Sequence, residues 1–344
     1  MNSSHSDPVL KRPRRNRKSF AVRALVRETS LTPADLIYPL FVHEGDEDEF
    51  IESMPGCRCW SISGLVEEAK EAHALGIQAV VLFPRIAENL KTPDAAEAWN
   101  PDGLVPRAIR ALKDALPNLC VVSDVALDPY NSDGHDGLVE GYTVGKPRQL
   151  TDQMETLKIL NDETVEALTR QALCHASAGA DVISPSDMMD GRVQAIRLAL
   201  DKAGFEDVSI LSYAVKYASA FYGPFRGALD SAPKAGSKAT YQMDPSNVRE
   251  ALLEARLDEE EGADMLMVKP AGYYLDVISK VREITELPVA AYQVSGEYLM
   301  LESAIVSGWM DRRRAVLESL ICIKRAGADI ILTYYAKAAA EWLR

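Results

Sequence analysis

A unit that repeats along the chain constrains its fold most strongly: a short apolar or β-branched run, followed by a stretch with the apolar spacing of a helix. Alternating strands and helices, with strands that are apolar throughout, are typical of a parallel sheet covered by helices. Eight such units favour a closed (β/α)8 TIM barrel. The predicted strands are 37–42, 79–84, 120–127, 181–185, 209–215, 265–269, 289–294 and 330–334.

One barrel with an extension accounts for the whole chain. An open doubly wound sheet is the alternative, but no predicted strand is followed by the G-x-G-x-x-G sequence of dinucleotide-binding sheets. We therefore expect an α/β chain with an extended N-terminal arm at 1–30 and a (β/α)8 barrel catalytic domain at 31–344. Helices are predicted at 64–75, 104–116, 162–178, 193–203, 245–261, 274–285 and 314–326.

Charge and apolar content restrict the partners and the location. The chain carries 38 Lys and Arg against 51 Asp and Glu, a net charge of −13. This excess of acid argues against general nucleic-acid binding, which requires neutralised phosphates. No run approaches the ~20 apolar residues of a membrane span, and no secretory signal is recognisable. We therefore expect no membrane association and a cytoplasmic location, with the five cysteines as reduced thiols.

A basic run stands near the start of the chain. Three interpretations remain open for it: a solvated tail, an arm that docks onto an acidic neighbouring subunit, and a nucleic-acid contact. Its members are Lys11, Arg12, Arg14, Arg15, Arg17 and Lys18.

Two lysines carry the strongest chemical signal. Lys216 and Lys269 each follow an apolar run on strands predicted to be adjacent, so both should lie at the mouth of the barrel, where barrel enzymes hold catalytic groups. A lysine in a dry site beside a second cation has a lowered pKa, and its neutral amine can attack a carbonyl to form a Schiff base. The alternative is that each lysine is structural and paired with a carboxylate.

A carboxylate cluster follows the third predicted strand. Asp124, Asp128 and Asp136 offer oxygen ligands, which suit Mg²⁺ better than tightly held zinc. They can equally balance the charge of the two lysines. His135 is either a ligand or base, or a hydrogen-bonding spacer.

The connection after the fifth strand is long and is predicted to form a lid. It contains the aromatic segment 221–226 with Arg226, and further along Lys238 and Gln242. Cationic side chains on a closing loop can clamp a substrate carboxylate. A surface loop with solvated charges is the alternative.

Several blocks together resemble the porphobilinogen synthase family, also called 5-aminolevulinate dehydratase. The resemblance runs from about residue 14 to residue 344. The blocks that carry it are Ser212-Tyr213-x-x-Lys216, FYGPFR at 221–226, MVKP at 267–270, DVALDPY at 124–130, PSDMMDGR at 185–192, ATYQMDP at 239–245 and YQVSGEY at 292–298. The resemblance implies condensation of two 5-aminolevulinate molecules to porphobilinogen, with loss of two waters, in tetrapyrrole synthesis.

The resemblance also implies roles for individual residues. Lys269 would form a Schiff base with the first substrate and Lys216 with the second. Further implied substrate contacts are Arg226 and Lys238 for the carboxylate of the second substrate, Ser295 and Tyr334 for that of the first, and Gln242, Tyr292, Ser186, Asp187 and Phe221 elsewhere in the site. The catalytic set is completed by Asp124, Asp128 and Asp136.

The metal type implied by the resemblance is zinc-independent. Zinc-dependent members carry cysteines where this chain has Ala126, Asp128 and Asp136. We therefore expect no tightly bound zinc, and Mg²⁺ or a monovalent cation at Asp128 and Asp136, unless these carboxylates bind the amino group of the second substrate. Glu254 matches an allosteric Mg²⁺ ligand of the family, although alone it would pass for an exposed helix residue. The family's octamers of arm-exchanged dimers imply a homo-oligomer.

Two departures from the family pattern and two rival functions remain. Ala271 stands where the family usually has glycine after the lysine–proline pair, and we expect this to be tolerated. The segment 144–157 is longer than usual, which affects the metal preference. A Schiff-base aldolase would share both lysines without two carboxylate clamps, and a catalytically dead barrel would be a ligand-binding or scaffold protein.

Overall fold

Eight parallel strands close into a barrel in the computed structural model, which describes residues 11–144, 157–229 and 231–344. Each strand pairs with its neighbour in chain order, and the eighth pairs with the first at Leu36–Ile331 and Ile37–Leu332. The predicted TIM barrel and all eight predicted strands are confirmed. The barrel strands are β1 (Leu36–His43), β2 (Ala79–Arg85), β3 (Cys120–Val125), β4 (Val182–Pro185), β5 (Ser209–Lys216), β6 (Met265–Lys269), β7 (Val289–Gln293) and β8 (Ile330–Thr333).

Helices cover the outside of the barrel and follow the strands. Seven were predicted, and three further ones, α5, α8 and α10, were not. The helices of the barrel unit are α1 (Ile62–Ala74), α2 (Leu104–Ala115), α3 (Asn161–Ser177), α4 (Arg192–Lys202), α5 (Gly223–Leu229), α6 (Arg249–Glu260), α7 (Leu275–Ile284), α8 (Ser295–Val306), α9 (Arg312–Ala326) and α10 (Ala336–Leu343).

Short strands form in the loops between the barrel strands and the helices. Two small strands, Glu49–Phe50 and Arg58–Trp60, form a hairpin before α1, and Leu138–Val139 pairs antiparallel with Ile159–Leu160. The segment 144–157 that the sequence marks as long lies, apart from its two end residues, outside the described residues.

The strands are buried on both faces, which explains their continuous apolar character. β5 is buried from Ile210 to Lys216 and β7 over its whole length. One face packs into the barrel and the other against the helices. Folding therefore removes apolar area from water at every position of these strands. Burial of this kind contributes about 1.5–3 kcal/mol for each large apolar side chain.

Residues Met1–Ser30 form a contact unit of their own, and Leu31–Arg344 form the other. In the described part of the first unit, a 3-10 helix spans Pro13–Arg17 and an α-helix spans Phe20–Leu25, where Ser19 caps the first turn. Phe20 is 71% exposed and Leu25 85%. Across the described ranges of the whole chain, no helix is long and apolar enough to cross a membrane.

Candidate active site

The two lysines singled out in the sequence meet at the mouth of the barrel. Lys216 ends β5 and Lys269 ends β6, and the two residues are register partners in this parallel pair of strands. The prediction that they stand at one height on adjacent strands is confirmed. Burial first and the Lys216 ammonium second lower the pKa of Lys269 to about 7. A substantial fraction of this amine is therefore neutral near neutral pH.

Four aromatic rings surround the amine of Lys269. Its Nζ lies 4.6 Å from the ring centroid of Tyr292, 4.9 Å from that of Tyr213, and 5.3 Å from those of Tyr222 and Phe225. Aromatic faces attract a cation electrostatically, and the rings also exclude water. This aromatic cage therefore accommodates both the neutral amine and a cationic iminium formed on the same nitrogen.

A β-bulge in β5 brings Tyr213 into the aromatic cage. Leu266 pairs with Ser212 and Val268 with Val215, so β5 advances three residues while β6 advances two. In a regular strand, side chains three positions apart point to opposite faces. The extra residue allows the tyrosine and the lysine that ends β5 to reach the same interior space.

Asp136 is the centre of a buried network of ion pairs. Its carboxylate accepts hydrogen bonds from Lys216 Nζ at 3.3 Å, Lys238 Nζ at 2.7 Å and Gln242 Nε2 at 3.1 Å. Lys238 Nζ also donates to Asp128 at 3.2 Å. Burial opposes ionisation of Asp136, but the two ammonium groups hold its pKa well below the usual range. The structure thus brings together five residues that the sequence places on separate strands and loops.

Asp124 lies on β3 with one carboxylate oxygen buried and without a hydrogen-bond partner among the described residues. Burial raises the pKa of Asp124 to about 7, against the opposing charges of Lys269 and Lys216. A carboxyl group and an amine that both titrate near pH 7 in one site have matched affinities for a proton. Such a pair can exchange a proton with a bound substrate in either direction.

The lid predicted after β5 is a short 3-10 helix, Ala220–Tyr222, that leads into α5. The ring of Phe225 lies 5.1 Å from that of Phe83, centroid to centroid. Ser295 Oγ accepts a hydrogen bond from the Phe225 amide at 3.0 Å. Gly296 is required beside it, because a Cβ there would lie 2.5 Å from the Phe221 carbonyl oxygen. α5 is therefore packed against the barrel mouth and the start of α8.

The remaining predicted substrate contacts surround this space. The hydroxyl groups of Tyr292 and Tyr334 are 2.9 Å apart. The ring of Phe221 stacks on that of Tyr273. The Ser186 carbonyl accepts a hydrogen bond from Lys216 Nζ. Arg226 lies half-buried on α5.

Two predicted residues have their contacts elsewhere. Asp187 accepts a hydrogen bond from the Met189 amide at 2.7 Å and faces Arg192 at 3.8 Å, rather than bonding to either lysine. Glu254, on α6, lines a separate cavity of about 350 Å³ together with Asp190 and Glu250. Burial raises the pKa of Glu254 to about 7.

His135 occupies a position that matches the spacer interpretation. Its Nε2 is 2.9 Å from the Ala235 carbonyl oxygen and its Nδ1 is 3.1 Å from the Tyr241 hydroxyl. Both ring nitrogens are therefore engaged in connecting two loops. Among the described residues, no three His, Cys, Asp or Glu side chains are grouped to hold a metal ion.

The aromatic cage is the part of the site that the sequence analysis missed. Tyr213, Tyr222 and Phe225 stand in blocks that resemble the family, but the sequence predicts no role for them. The available signal was the concentration of aromatic residues around each strand-end lysine. Their convergence on one nitrogen, however, depends on the bulge and on the fold of α5.

Comparison with known proteins identifies relatives over almost the whole chain. The family model of delta-aminolevulinic acid dehydratase matches residues 10–342. A chloroplastic delta-aminolevulinic acid dehydratase of Physcomitrium patens is 58% identical over 333 residues, which cover 96% of this chain and 74% of that protein. Another, of Selaginella martensii, is 59% identical over 333 residues, with 96% and 76% covered.

A solved structure extends the similarity to the fold. The crystal structure of delta-aminolevulinic acid dehydratase from Toxoplasma gondii ME49, in complex with the reaction product porphobilinogen, superposes with a TM-score of 0.92 at 54% identity. The match covers 97% of this chain and 92% of that chain.

These names correct one expectation and decide the family. The predicted cytoplasmic location is wrong, because the relatives from Physcomitrium patens and Selaginella martensii are both named chloroplastic. The error has a physical reason: acidic charge and the lack of long apolar runs describe any dissolved protein, in a plastid as much as in the cytosol. The matches to the family model and to both relatives show that the chain belongs to the delta-aminolevulinic acid dehydratase (porphobilinogen synthase) family of hydro-lyases.

Proposed function

We propose that the site at the barrel mouth condenses two molecules of 5-aminolevulinate to porphobilinogen, with Lys269 and Lys216 as the Schiff-base amines. The observation that carries this proposal is the pairing of the two lysines on β5 and β6, with Lys269 inside the aromatic cage. The product in the Toxoplasma gondii complex supports the choice of substrate. An aldolase needs one such amine, so the second lysine favours a reaction with two carbonyl substrates.

Lys269 begins the reaction on the first substrate. Its neutral Nζ attacks the ketone carbon, and the carbonyl oxygen leaves as water to give an imine. The aromatic cage stabilises the positive charge when this imine is protonated. Ser295 and Tyr334 hold the carboxylate of this substrate, in keeping with their places beside α5 and β8.

Lys216 forms the second imine and releases the second water. Loss of a proton from the carbon next to this imine gives an enamine, which adds to the imine carbon held by Lys269. Asp124 accepts and returns protons in these steps, because its pKa is raised to about 7. The amino group of the first substrate then adds to the imine carbon held by Lys216, and that lysine leaves as a free amine. Lys269 leaves by elimination, and loss of a ring proton makes the pyrrole aromatic, so neither amine is consumed.

The second substrate exchanges one set of ion pairs for another. Lys238 is bonded to Asp128 and Asp136 without substrate. The carboxylate of 5-aminolevulinate binds Lys238 and Arg226, while its ammonium group takes the place of Lys238 beside the two aspartates. Gln242 keeps its contact with Asp136 and orients it throughout.

The metal implied by the family fits one place and not the other. Asp136 and Asp128 already accept hydrogen bonds from ammonium groups, so a Mg²⁺ ion there would have to displace Lys238. Glu254, Asp190 and Glu250 line one cavity, and Mg²⁺ typically takes one or two carboxylates and several waters. Bound there, Mg²⁺ would supply positive charge away from the reacting atoms.

The assembly and the location are proposals of the same kind. Phe20 and Leu25 expose apolar side chains on the arm helix, which supports an arm that covers a neighbouring subunit in an octamer of arm-exchanged dimers. Light scattering of the full chain and of a chain without residues 1–30 tests this assembly. The names of the relatives support a plastid location, which organelle fractionation tests.

Borohydride trapping tests the chemistry. The protein is reduced in the presence of 5-aminolevulinate, and the adduct is located by peptide mass mapping. We expect adducts on Lys269 and Lys216, no turnover in Lys269→Ala, and an unchanged pattern of adducts in Lys280→Ala, which alters an exposed lysine of α7. An adduct on neither strand-end lysine of the folded wild type would reject the proposal.

A further inference from the structure

The loop between β1 and α1 contacts the lid helix α5. Ser53 Oγ donates a hydrogen bond to the Pro224 carbonyl at 2.8 Å, across 171 positions of sequence. Gly227 faces the same side chain, because a Cβ there would lie 3.3 Å from Ser53 Oγ and 3.5 Å from Ser53 Cβ. Ser53 thus touches α5 both by a polar bond and by close packing.

The segment that presents Ser53 is itself firmly held. Met54 is fully buried in the core, and its amide donates to the Ile51 carbonyl at 3.0 Å. The Tyr298 hydroxyl, on α8, donates to the Pro55 carbonyl at 2.6 Å. The loop is therefore held on both sides of Ser53, and it forms a firm support for α5.

The opposite side of α5 carries groups of the active site. Phe225 contributes a ring to the aromatic cage around Lys269, and its amide donates to Ser295 Oγ. Arg226 is the next residue along the helix. A displacement of α5 would move all of these groups at once, although Ser53 itself has no contact with the lysines.

Open space lies beside α5 on the side of Ser53. A cavity of about 570 Å³ is lined by residues 50–53, Arg85, Gly227 and Ala228. Ser53 on the loop and Gly227 on α5 line this cavity side by side. Few polar contacts other than this bond and the Phe225–Ser295 bond tie the described part of α5 to the barrel.

We propose that Ser53 is a positioning residue that latches α5 over Lys269 and so sets the closed form of the active site. The role rests on the proposed function, since α5 matters only if Phe225 and Arg226 serve the chemistry. The latch acts through a backbone carbonyl, so it depends on the hydroxyl at position 53 and not on the side chain at 224.

Hydrogen exchange measures the latch without substrate. In Ser53→Ala, the amides of 220–229 should exchange about fivefold faster than in the wild type, which corresponds to the loss of one typical hydrogen bond. Peptides of β6 should be unchanged. Ser53→Thr keeps a hydroxyl and should restore slow exchange. Ser307→Ala is the matched control: this exposed hydroxyl, directly after α8, donates to the Ser303 carbonyl at 2.7 Å.

The outcomes separate the latch from general destabilisation and from the chemistry. The latch is supported if exchange becomes faster in residues 220–229 alone, and if this happens in Ser53→Ala but not in Ser53→Thr. Unchanged exchange in Ser53→Ala, or equal acceleration in β6, overturns it. The apparent KM for 5-aminolevulinate should rise about fivefold in Ser53→Ala, while kcat at saturation changes less than about twofold. Absence of any trapped lysine in the wild type would overturn the proposed function and leave the exchange result standing.

Discussion

Lys216 and Lys269 end adjacent parallel strands as register partners, so each amine lies in the electrostatic field of the other. The site uses this proximity together with burial to keep Lys269 partly neutral, whereas Asp136 compensates the charge of Lys216 through a direct ion pair. Two identical side chains thus have different environments, which is what two substrates with different fates require.

The first prediction concerns the pH dependence of imine formation at Lys269. The reactive form is the neutral amine, so trapping with cyanoborohydride should increase as pH rises through about 7. In Lys216→Gln, a charge that lowers the pKa of Lys269 is lost, and the midpoint should move upward by about one pH unit. Lys202→Gln, at an exposed position of α4, should leave the midpoint in place. A midpoint that stays or falls in Lys216→Gln would contradict this electrostatic coupling.

A second prediction separates the ring of Tyr292 from its hydroxyl. Tyr292→Leu removes the nearest ring of the aromatic cage, and the yield of trapped imine at Lys269 should fall about 3- to 30-fold, as expected for a desolvated cation–π contact. Tyr292→Phe keeps the ring and loses only the bond to Tyr334. It should retain most of the trapping yield but raise the apparent KM. Equal losses in both variants would show that the ring itself contributes nothing.

The sequence predicts those parts of this site that follow from the regular geometry of parallel strands. The strands were predictable because each is a continuous apolar run, and the height of the lysines followed because parallel strands end at one edge. The aromatic cage was not predictable, since a single inserted residue in β5 reverses the side to which Tyr213 points.

Long-range contacts, and α8 among the three unpredicted helices, were missed for similar reasons. Lys238 and Asp136 are 102 positions apart on two loops, and nothing in their local sequence fixes their approach. α8 has apolar residues on all sides, Tyr298, Leu299 and Leu301 among them, so it lacks the one-sided period that marks a surface helix. Its position is set by the close approach of Gly296 to the lid.

A third prediction tests the buried network at Asp136. Asp136→Asn removes the charge that compensates Lys216 and Lys238 and leaves both ammonium groups buried together. The free energy of unfolding should fall by about 3–5 kcal/mol, the cost of breaking a buried ion pair. Differential scanning calorimetry measures this as a lower Tm. Asp114→Asn, at an exposed position of α2, should change the Tm little. A wild-type Tm in Asp136→Asn would mean that the network contributes no stability.

The last prediction concerns a buried histidine behind the site. His175 on α3 is fully buried, with its Nδ1 2.7 Å from Ser123 Oγ on β3. Burial lowers the pKa of His175 to about 3. Between about pH 6.5 and pH 3, the unfolded chain therefore binds a proton that the folded chain rejects.

Stability should accordingly decrease as pH falls through this window, by up to about 1.4 kcal/mol for each pH unit from this residue alone. His175→Asn keeps a polar partner for Ser123 but does not titrate, so its Tm should fall less steeply between pH 6.5 and 4.5. His73→Asn leaves His175 in place and should keep the wild-type slope. Parallel curves of Tm against pH for the wild type and His175→Asn would contradict the lowered pKa of His175. In this pH range the two proteins should differ in slope only through the proton that the buried ring does not accept.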